Sequence, residues 1–429
     1  MRITMISIGS AGDVYPYIAL GKELTRRGHT ITLAAFAKFE SLVRSAGLQF
    51  FALPGNASRF IESIMQPDTN IFNYLSGFEK EVVPYAIPMV EAMTASCENA
   101  EMVVCTFFGD VTYSIAEKFR IPCVQTHYYP MDSNDITPIP VTPILPIKKG
   151  YNEMTYKVSY LAIGLLEKKL IGTWRSENGL PSRKVRPYPD YTVNGHTMPV
   201  IYALSESLFP RPDSWGSNTY ITGFWREESP VHYTPEEGLR KFLNQPGDKV
   251  YIGFGSMNSG DMGKTLAIVT KAVHAAKVKA VLAKGWGGPE ELAQNDPDIY
   301  YMQDFVPHDW LFEQVDAVVH HGGAGTTASG LLAGCPTLII PFGGDQPFWG
   351  SRIREMGFGP KPIRRESLTA EKLARGLTEL LHTPEYRTAA REVSEKLRRE
   401  HGVQKAADII ESEGVLFRQM NPEIRPSQP

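Results

Sequence analysis

The residues best suited to chemistry lie in 317–350, AVVHHGGAGTTASGLLAGCPTLIIPFGGDQPFWG. A β-branched apolar run ends at His320 and His321. Gly322, Gly323 and Gly325 follow, then Thr326 and Thr327, then a helical pattern through Leu331 and Leu332. Glycines at a strand-to-helix turn let the backbone approach a ligand. The N–H groups of the first helical turn, at the positive end of its dipole, favour an anion such as phosphate. His321 at the mouth of the turn and the hydroxyl of Thr326 suit donation to the same anion. A turn of this kind also serves, without any ligand, as a tight connection between strand and helix. A second apolar run, 336–342, ends in Gly343-Gly344-Asp345-Gln346. A carboxylate followed by an amide suits vicinal hydroxyls, because the carboxylate accepts and the amide both donates and accepts. Ligands of open α/β sheets bind at this edge. Near the start, the loop GSAGD at 9–13 ends in another carboxylate, Asp13. Asp13 reads either as a cap for the helix beginning near 14–16 or as a reactive group, and the two roles are compatible.

The elements that must position these residues are legible. RITMISIG at 2–9 reads as a strand. Residues 16–27 read as an amphipathic helix with Ile18, Leu20 and Leu24 near helical spacing, and ITLAAF at 31–36 reads as the next strand. That is a βαβ unit. The scheme repeats with KVYIGFG at 249–255, GSMNSGD at 255–261, a helical pattern over 262–276 and AVLAKG at 280–285. Strands MVVCTF (102–107) and IPCVQTH (121–127) continue the alternation, which implies parallel sheets. The expected fold class is α/β, with two Rossmann-like, doubly wound domains. We place the amino-terminal domain at 1–224, a linker at 225–247 in a stretch rich in Pro, Gly, Trp and charge, the second domain at 248–405, and a carboxy-terminal helix and tail at 406–429.

Composition bounds the function classes. The 429 residues suit two or three domains at roughly 150 residues each. Hydrophobic residues make up 42% and charged residues 21%, which supplies a sizeable core and excludes disorder. A net charge of −3 argues against a broad basic surface for nucleic acid. No run of ~18 uncharged apolar residues predicts a membrane span. The apolar run at 3–8 is too short for a signal peptide. Cys97, Cys105, Cys123 and Cys335 lack CxxC spacing, so they read as buried thiols of a reducing, cytoplasmic location. Basic residues between 164 and 187 (Lys168, Lys169, Arg175, Arg183, Lys184, Arg186) read as a solvated face that could meet lipid headgroups.

HGGAGT, GGDQPFWG, GSAGDVYPYIALG and DFVPHDWLF (304–312) together resemble family 1 glycosyltransferases, most closely the sterol and antibiotic-tailoring branch. The resemblance implies the GT-B fold, with two such domains facing across a cleft, the donor in the second domain and the acceptor in the first. It places His321 on the donor diphosphate, with Gly323, Ala324, Gly325 and Thr326 as backbone and hydroxyl cradle. It places Asp345 and Gln346 on the sugar hydroxyls, Ser256 and Ser10 in the donor site, and the backbone of Val306 on the uracil edge. Trp286 lies near the nucleotide. The plant branch carries a ribose-binding glutamate where this chain has Ser329. It also has a catalytic histidine in the first loop, where this chain offers Asp13, and an orienting aspartate about where Thr106 falls, four residues before Asp110.

The resemblance implies inverting transfer of a sugar, glucose for the equatorial hydroxyls that Asp345 and Gln346 suit, from a UDP-sugar. Thymidine remains open as the nucleoside. Asp13 is the candidate base and His127, in QTHYYP, the rival. No DxD motif is apparent near the diphosphate segment, and no His/Cys/Asp cluster has metal-ligand spacing, so neither a metal nor a cofactor is expected. Phe72, Phe107, Phe108, Tyr128 and Met131 are candidate contacts for a lipophilic acceptor such as a sterol, triterpenoid, polyketide or flavonoid. The alternative is a sugar-nucleotide enzyme of the same fold that does not transfer, of the epimerase type.

Overall fold

The computed structural model describes residues 1–55, 83–106, 109–140, 142–145, 149–227, 233–254, 262–283, 296–302 and 304–422. Apolar, β-branched runs bounded by glycine loops form its strands. β1 (Arg2–Ile6), β2 (Thr30–Phe36), β3 (Gln49–Leu53), β4 (Met102–Cys105) and β5 (Cys123–His127) are followed by the short hairpin β6 (Thr192–Val193) and β7 (His196–Thr197). Then come β8 (Val200–Tyr202) and β9 (Thr219–Ile221). Seven of these form one sheet in the order β3-β2-β1-β4-β5-β8-β9. Every pairing in it is parallel. The order reverses beside β1, so the turn after β1 and the first turn of the helix Ala11–Arg26, which carries Asp13, lie at the switch point where such sheets bind ligands.

A second sheet repeats the plan. β10 (Lys249–Gly253), β11 (Lys279–Leu282), β12 (Ile299–Tyr301), β13 (Ala317–His320) and β14 (Thr337–Ile339) lie parallel in the order β12-β11-β10-β13-β14. Side-chain alternation along β10 covers both faces, as a parallel sheet requires. Val250 and Ile252 join Val269, Val273, Leu373 and Leu377 on one side. Tyr251 joins Leu239, Leu311 and Phe312 on the other.

The chain divides into two compact units, with breaks at Glu227/Glu228 and Arg399/Glu400. The helix Glu237–Leu243 lies inside the stretch that the sequence suggests as a linker, yet Leu239 and Phe242 are buried in the second core. The carboxy-terminal helix Gly402–Met420 belongs to the first unit. Arg27 fastens it there, with Nη1 2.6 Å from Asp408 and 2.8 Å from Glu411. The four cysteines are buried free thiols. Among the described residues no helix is long and apolar enough to cross a membrane.

Two members of the basic stretch between 164 and 187, Arg175 and Arg183, are turned into the protein. Arg175 is buried, and its Nη1 donates to Glu117 at 2.6 Å and to Ser114 at 2.6 Å. Arg183 donates to the other oxygen of Glu117 at 2.8 Å and to Asp110 at 3.2 Å. Two guanidiniums therefore share one carboxylate inside the first unit, whereas Lys168, Lys184 and Arg186 of the same stretch are exposed. Removing one partner of such a network leaves charge uncompensated, at a cost of about 3 kcal/mol. Glu117→Ala should accordingly lower the urea midpoint of the first unit, whereas a surface pair such as Arg44–Glu40 (2.8 Å) should be silent to the same change.

Candidate active site

The second unit's site begins at the end of β13. His320 is fully buried, and its Nδ1 accepts the Gly322 N–H at 3.0 Å, which turns the backbone. Gly322 then adopts φ +96°, a region that L side chains rarely occupy, and a Cβ there would lie 2.8 Å from Ile339. Gly323 is the N-cap of the helix Ala324–Leu332 and makes no side-chain cap bond. The first-turn N–H groups are therefore offered outward, the arrangement that binds anions. His321 overlooks this turn: a Cβ at 323 would come within 2.6 Å of its Nε2. Thr327, one residue past Thr326, spends its hydroxyl on the Gly323 carbonyl at 2.9 Å.

Burial dominates the electrostatics of this end. It pushes His321 down to about 4, helped by the neighbouring His308 and opposed by a hydrogen bond with the Gly253 backbone. His308 is pushed to about 4 for the same reason, and its Nε2 meets the Tyr251 hydroxyl at 3.2 Å. His320 lies well below its ordinary value. All three imidazoles are neutral at physiological pH.

The next strand end places Asp345 and Gln346. Asp345 caps the helix Gln346–Glu355, and its Oδ2 accepts the Trp349 indole N–H at 2.9 Å. Gln346 is buried, and its Oε1 accepts the N–H groups of Phe342 (2.7 Å) and Gly343 (3.2 Å). The side-chain oxygen thus shapes the turn, and only the amide NH2 remains for a ligand. Val306 sends its side chain into the core beside an exposed Phe305. Ser329 lies in the body of the helix, half-buried.

In the first unit Ser10 and Asp13 form a capping box. Asp13 Oδ2 accepts the Ser10 N–H at 2.6 Å and its hydroxyl at 3.0 Å, and the Ser10 hydroxyl accepts the Gly12 N–H at 3.1 Å. Burial nonetheless raises Asp13 to about 6, against the lowering effect of those bonds. Tyr128 donates to the Asp13 carbonyl at 3.0 Å and packs edge-on against Trp225, which also stacks on Tyr17. Sequence alone gave no signal for this support, because its parts are far apart in the chain. His127 lies at the end of β5, buried, with Nε2 unpartnered, and desolvation pushes it to about 3. Met131 is half-buried, and its N–H donates to the Tyr202 hydroxyl at 3.2 Å. Asp110 is engaged by Arg183, and the hydroxyl of Thr106 is buried without a partner. Ser256, Trp286, Phe72, Phe107 and Phe108 lie outside the described residues.

Residues 3–131 match the glycosyltransferase family 28 N-terminal domain, and residues 286–411 match the erythromycin biosynthesis protein CIII-like C-terminal domain. The structure is similar to the glycotransferase of kitacinnamycin (TM-score 0.69, 19% identity, 96% of this chain and 98% of that one). It is similar also to CalG4, the calicheamicin glycosyltransferase (TM-score 0.69, 17% identity, 96% and 97%). The fold and the two loop sites define a glycosyltransferase of the GT-B class.

The chain is 32% identical over 427 residues to the sterol 3-beta-glucosyltransferase UGT80B1 of Arabidopsis thaliana, covering 96% of this chain and 68% of that protein. It is 31% identical to the sterol 3-beta-glucosyltransferase of Pichia angusta, covering 96% of this chain but 33% of that protein. The chain belongs to the glycosyltransferase family that contains these sterol 3-beta-glucosyltransferases.

Neutral burial of His308, His320 and His321 sets a pH dependence. Their folded values lie below the unfolded value near 6.5, so the unfolded chain takes up protons that the folded chain refuses. Their contribution is complete above that value and is lost as pH falls from 6.5 towards 4. Thermal melts should show the second unit weakening across this window, and His308→Gln should flatten the slope.

Proposed function

We propose that the protein transfers glucose from UDP-glucose to a hydroxyl of a lipophilic, sterol-type acceptor, with inversion at the anomeric carbon and without a metal ion. The observation that carries the reading is the uncapped start of the helix Ala324–Leu332 with His321 beside it. Charge grows on the β-phosphate as the glycosidic bond breaks. Fixed N–H groups at the positive helix end stabilise it without reorganisation. A diphosphate held there would draw the buried His321 towards its protonated, doubly donating form. Asp345, steadied by Trp349, accepts sugar hydroxyls, and the Gln346 amide donates to them.

The base is Asp13. A value raised to about 6 gives a carboxylate that is ionised at neutral pH yet more basic than one in water. His127, held near 3, has little basicity at neutral pH. The acceptor class rests on the sterol-glucosylating relatives. A thymidine donor is the second reading, favoured by the related fold of VinC, which was solved with dTDP. An epimerase has no comparable support.

Three measurements test the proposal. Mass spectrometry of a reaction with UDP-glucose, cholesterol and EDTA should show a gain of one hexose. Activity lost in EDTA and restored by magnesium or manganese would remove the metal-free mechanism. Asp13→Asn should cut turnover by about 10²–10⁴ with UDP affinity retained, and survival within severalfold would remove Asp13 as base. In the parent enzyme kcat/KM should fall as pH drops through about 6, where Asp13 takes up its proton.

A further inference from the structure

The last residues of the first unit before its break at Glu227/Glu228 run along the helix Ala11–Arg26. Trp225, which begins the stretch that the sequence suggests as a linker, stacks on Tyr17 with ring centroids 6.3 Å apart and 25° between the planes. Two residues on, Glu227 Oε1 lies 2.5 Å from Lys22 Nζ of the same helix. Trp225 also meets Tyr128 edge-on, with centroids 6.5 Å apart. Its indole N–H donates to the Thr222 hydroxyl at 3.0 Å, and the Thr222 N–H donates to the Tyr202 carbonyl at 3.1 Å, so the indole is anchored to the end of β8. Trp225, Tyr17 and Tyr128 are all buried. Aromatic rings packed in this way supply a large apolar cover with a defined geometry.

The two tyrosines hold the start of the helix to the end of β5. Tyr17 lies one turn after Asp13, and its hydroxyl meets the Thr126 hydroxyl at 2.8 Å. Tyr128 reaches the other way, from the strand to the Asp13 carbonyl at 3.0 Å. Asp13 itself is half-buried, open enough to meet an acceptor. Among the described residues no charged side chain enters the balance at its carboxyl, where burial stands against hydrogen bonds from Ser10 and from its own backbone. The phenols of Tyr128, facing it from the end of β5, and of Tyr17, on its own helix, stay neutral, and Lys22 is held by Glu227. Water admitted between helix and strand would therefore favour the ionised form with nothing to offset it. We propose that Trp225 and Tyr128 are positioning residues for Asp13, the indole closing the seam between helix and strand to water and the phenol fixing the backbone that carries the carboxylate. The inference rests on Asp13 as the base proposed above, and it makes the segment that leaves the first unit part of the machinery of that base.

Two readouts on the full chain test this without any reaction. The first is carbon-13 NMR with aspartate carboxyls labelled, the Asp13 signal being assigned by its loss in Asp13→Asn. The parent signal should titrate near 6. Trp225→Leu should bring the midpoint down towards the ordinary aspartate value of about 3.9, because water then reaches the ionised form. Trp225→Phe, which keeps a ring over the seam, should hold it near the parent's. The second readout is hydrogen exchange of Tyr128→Phe, which keeps the ring and loses the bond. Amides of residues 13–18 should exchange about three to ten times faster, with those of 20–26 unchanged. An unmoved midpoint in folded Trp225→Leu overturns the proposal, and so does unchanged exchange in Tyr128→Phe. If Trp225→Leu does not fold, the exchange result decides alone. Full turnover by Asp13→Asn would sink the base and leave these two results standing. An inactive Asp13→Asn beside an unmoved midpoint would keep the base and sink the positioning.

Discussion

Two glycines between β13 and the helix Ala324–Leu332 hold the donor end together. Gly322 is strained for any other residue and is pressed against Ile339, and Gly323 leaves room for His321. With side chains at both positions the strand could not turn into the helix at this angle, and the N–H groups would point elsewhere. The buried His320 supplies the other half of the turn by accepting the Gly322 N–H. The neutrality of the neighbouring imidazoles follows from the same burial.

The first unit solves the equivalent problem differently. Its loop after β1 is closed by a side chain, since Asp13 caps the helix while also being the proposed base. Capping stabilises the ionised form and burial destabilises it, and burial prevails. The cap therefore fixes the carboxylate without making it inert. Tyr128 fixes the backbone of the same residue from across the sheet.

Local patterns made much of this legible. The glycine turn at 322–325 and the alternation of strand and helix are short-range features and stand where the sequence puts them, whereas the helix expected near 14–16 begins at Ala11, with Ser10 as its N-cap and Asp13 as the third helical residue that completes the capping box. The roles of Arg175 and Arg183 are not legible locally because their partner Glu117 lies far back in the chain, and a sequence run of basic residues looks the same whether it faces water or a buried carboxylate. Residues 237–243 read as linker because the charged flanks hide a two-residue apolar signal, Leu239 and Phe242, one helical turn apart. The role of Gln346 as a brace for its own turn was likewise hidden, since an amide at a strand end reads equally as a ligand contact.

The return of the carboxy-terminal helix bears on how the molecule is made. Gly223 and Gly402 nearly touch: a Cβ at 402 would lie 2.7 Å from the Gly223 carbonyl carbon, and the side chain of Glu400 packs beside Gly223. The outgoing and returning chain thus pass each other within the first unit. During synthesis this unit emerges first but stays unfinished until residues 400–420 leave the ribosome. Until then Arg27 lacks Asp408 and Glu411, and the later-made second unit has its whole segment available to fold. The order of manufacture and the order of completion are therefore reversed.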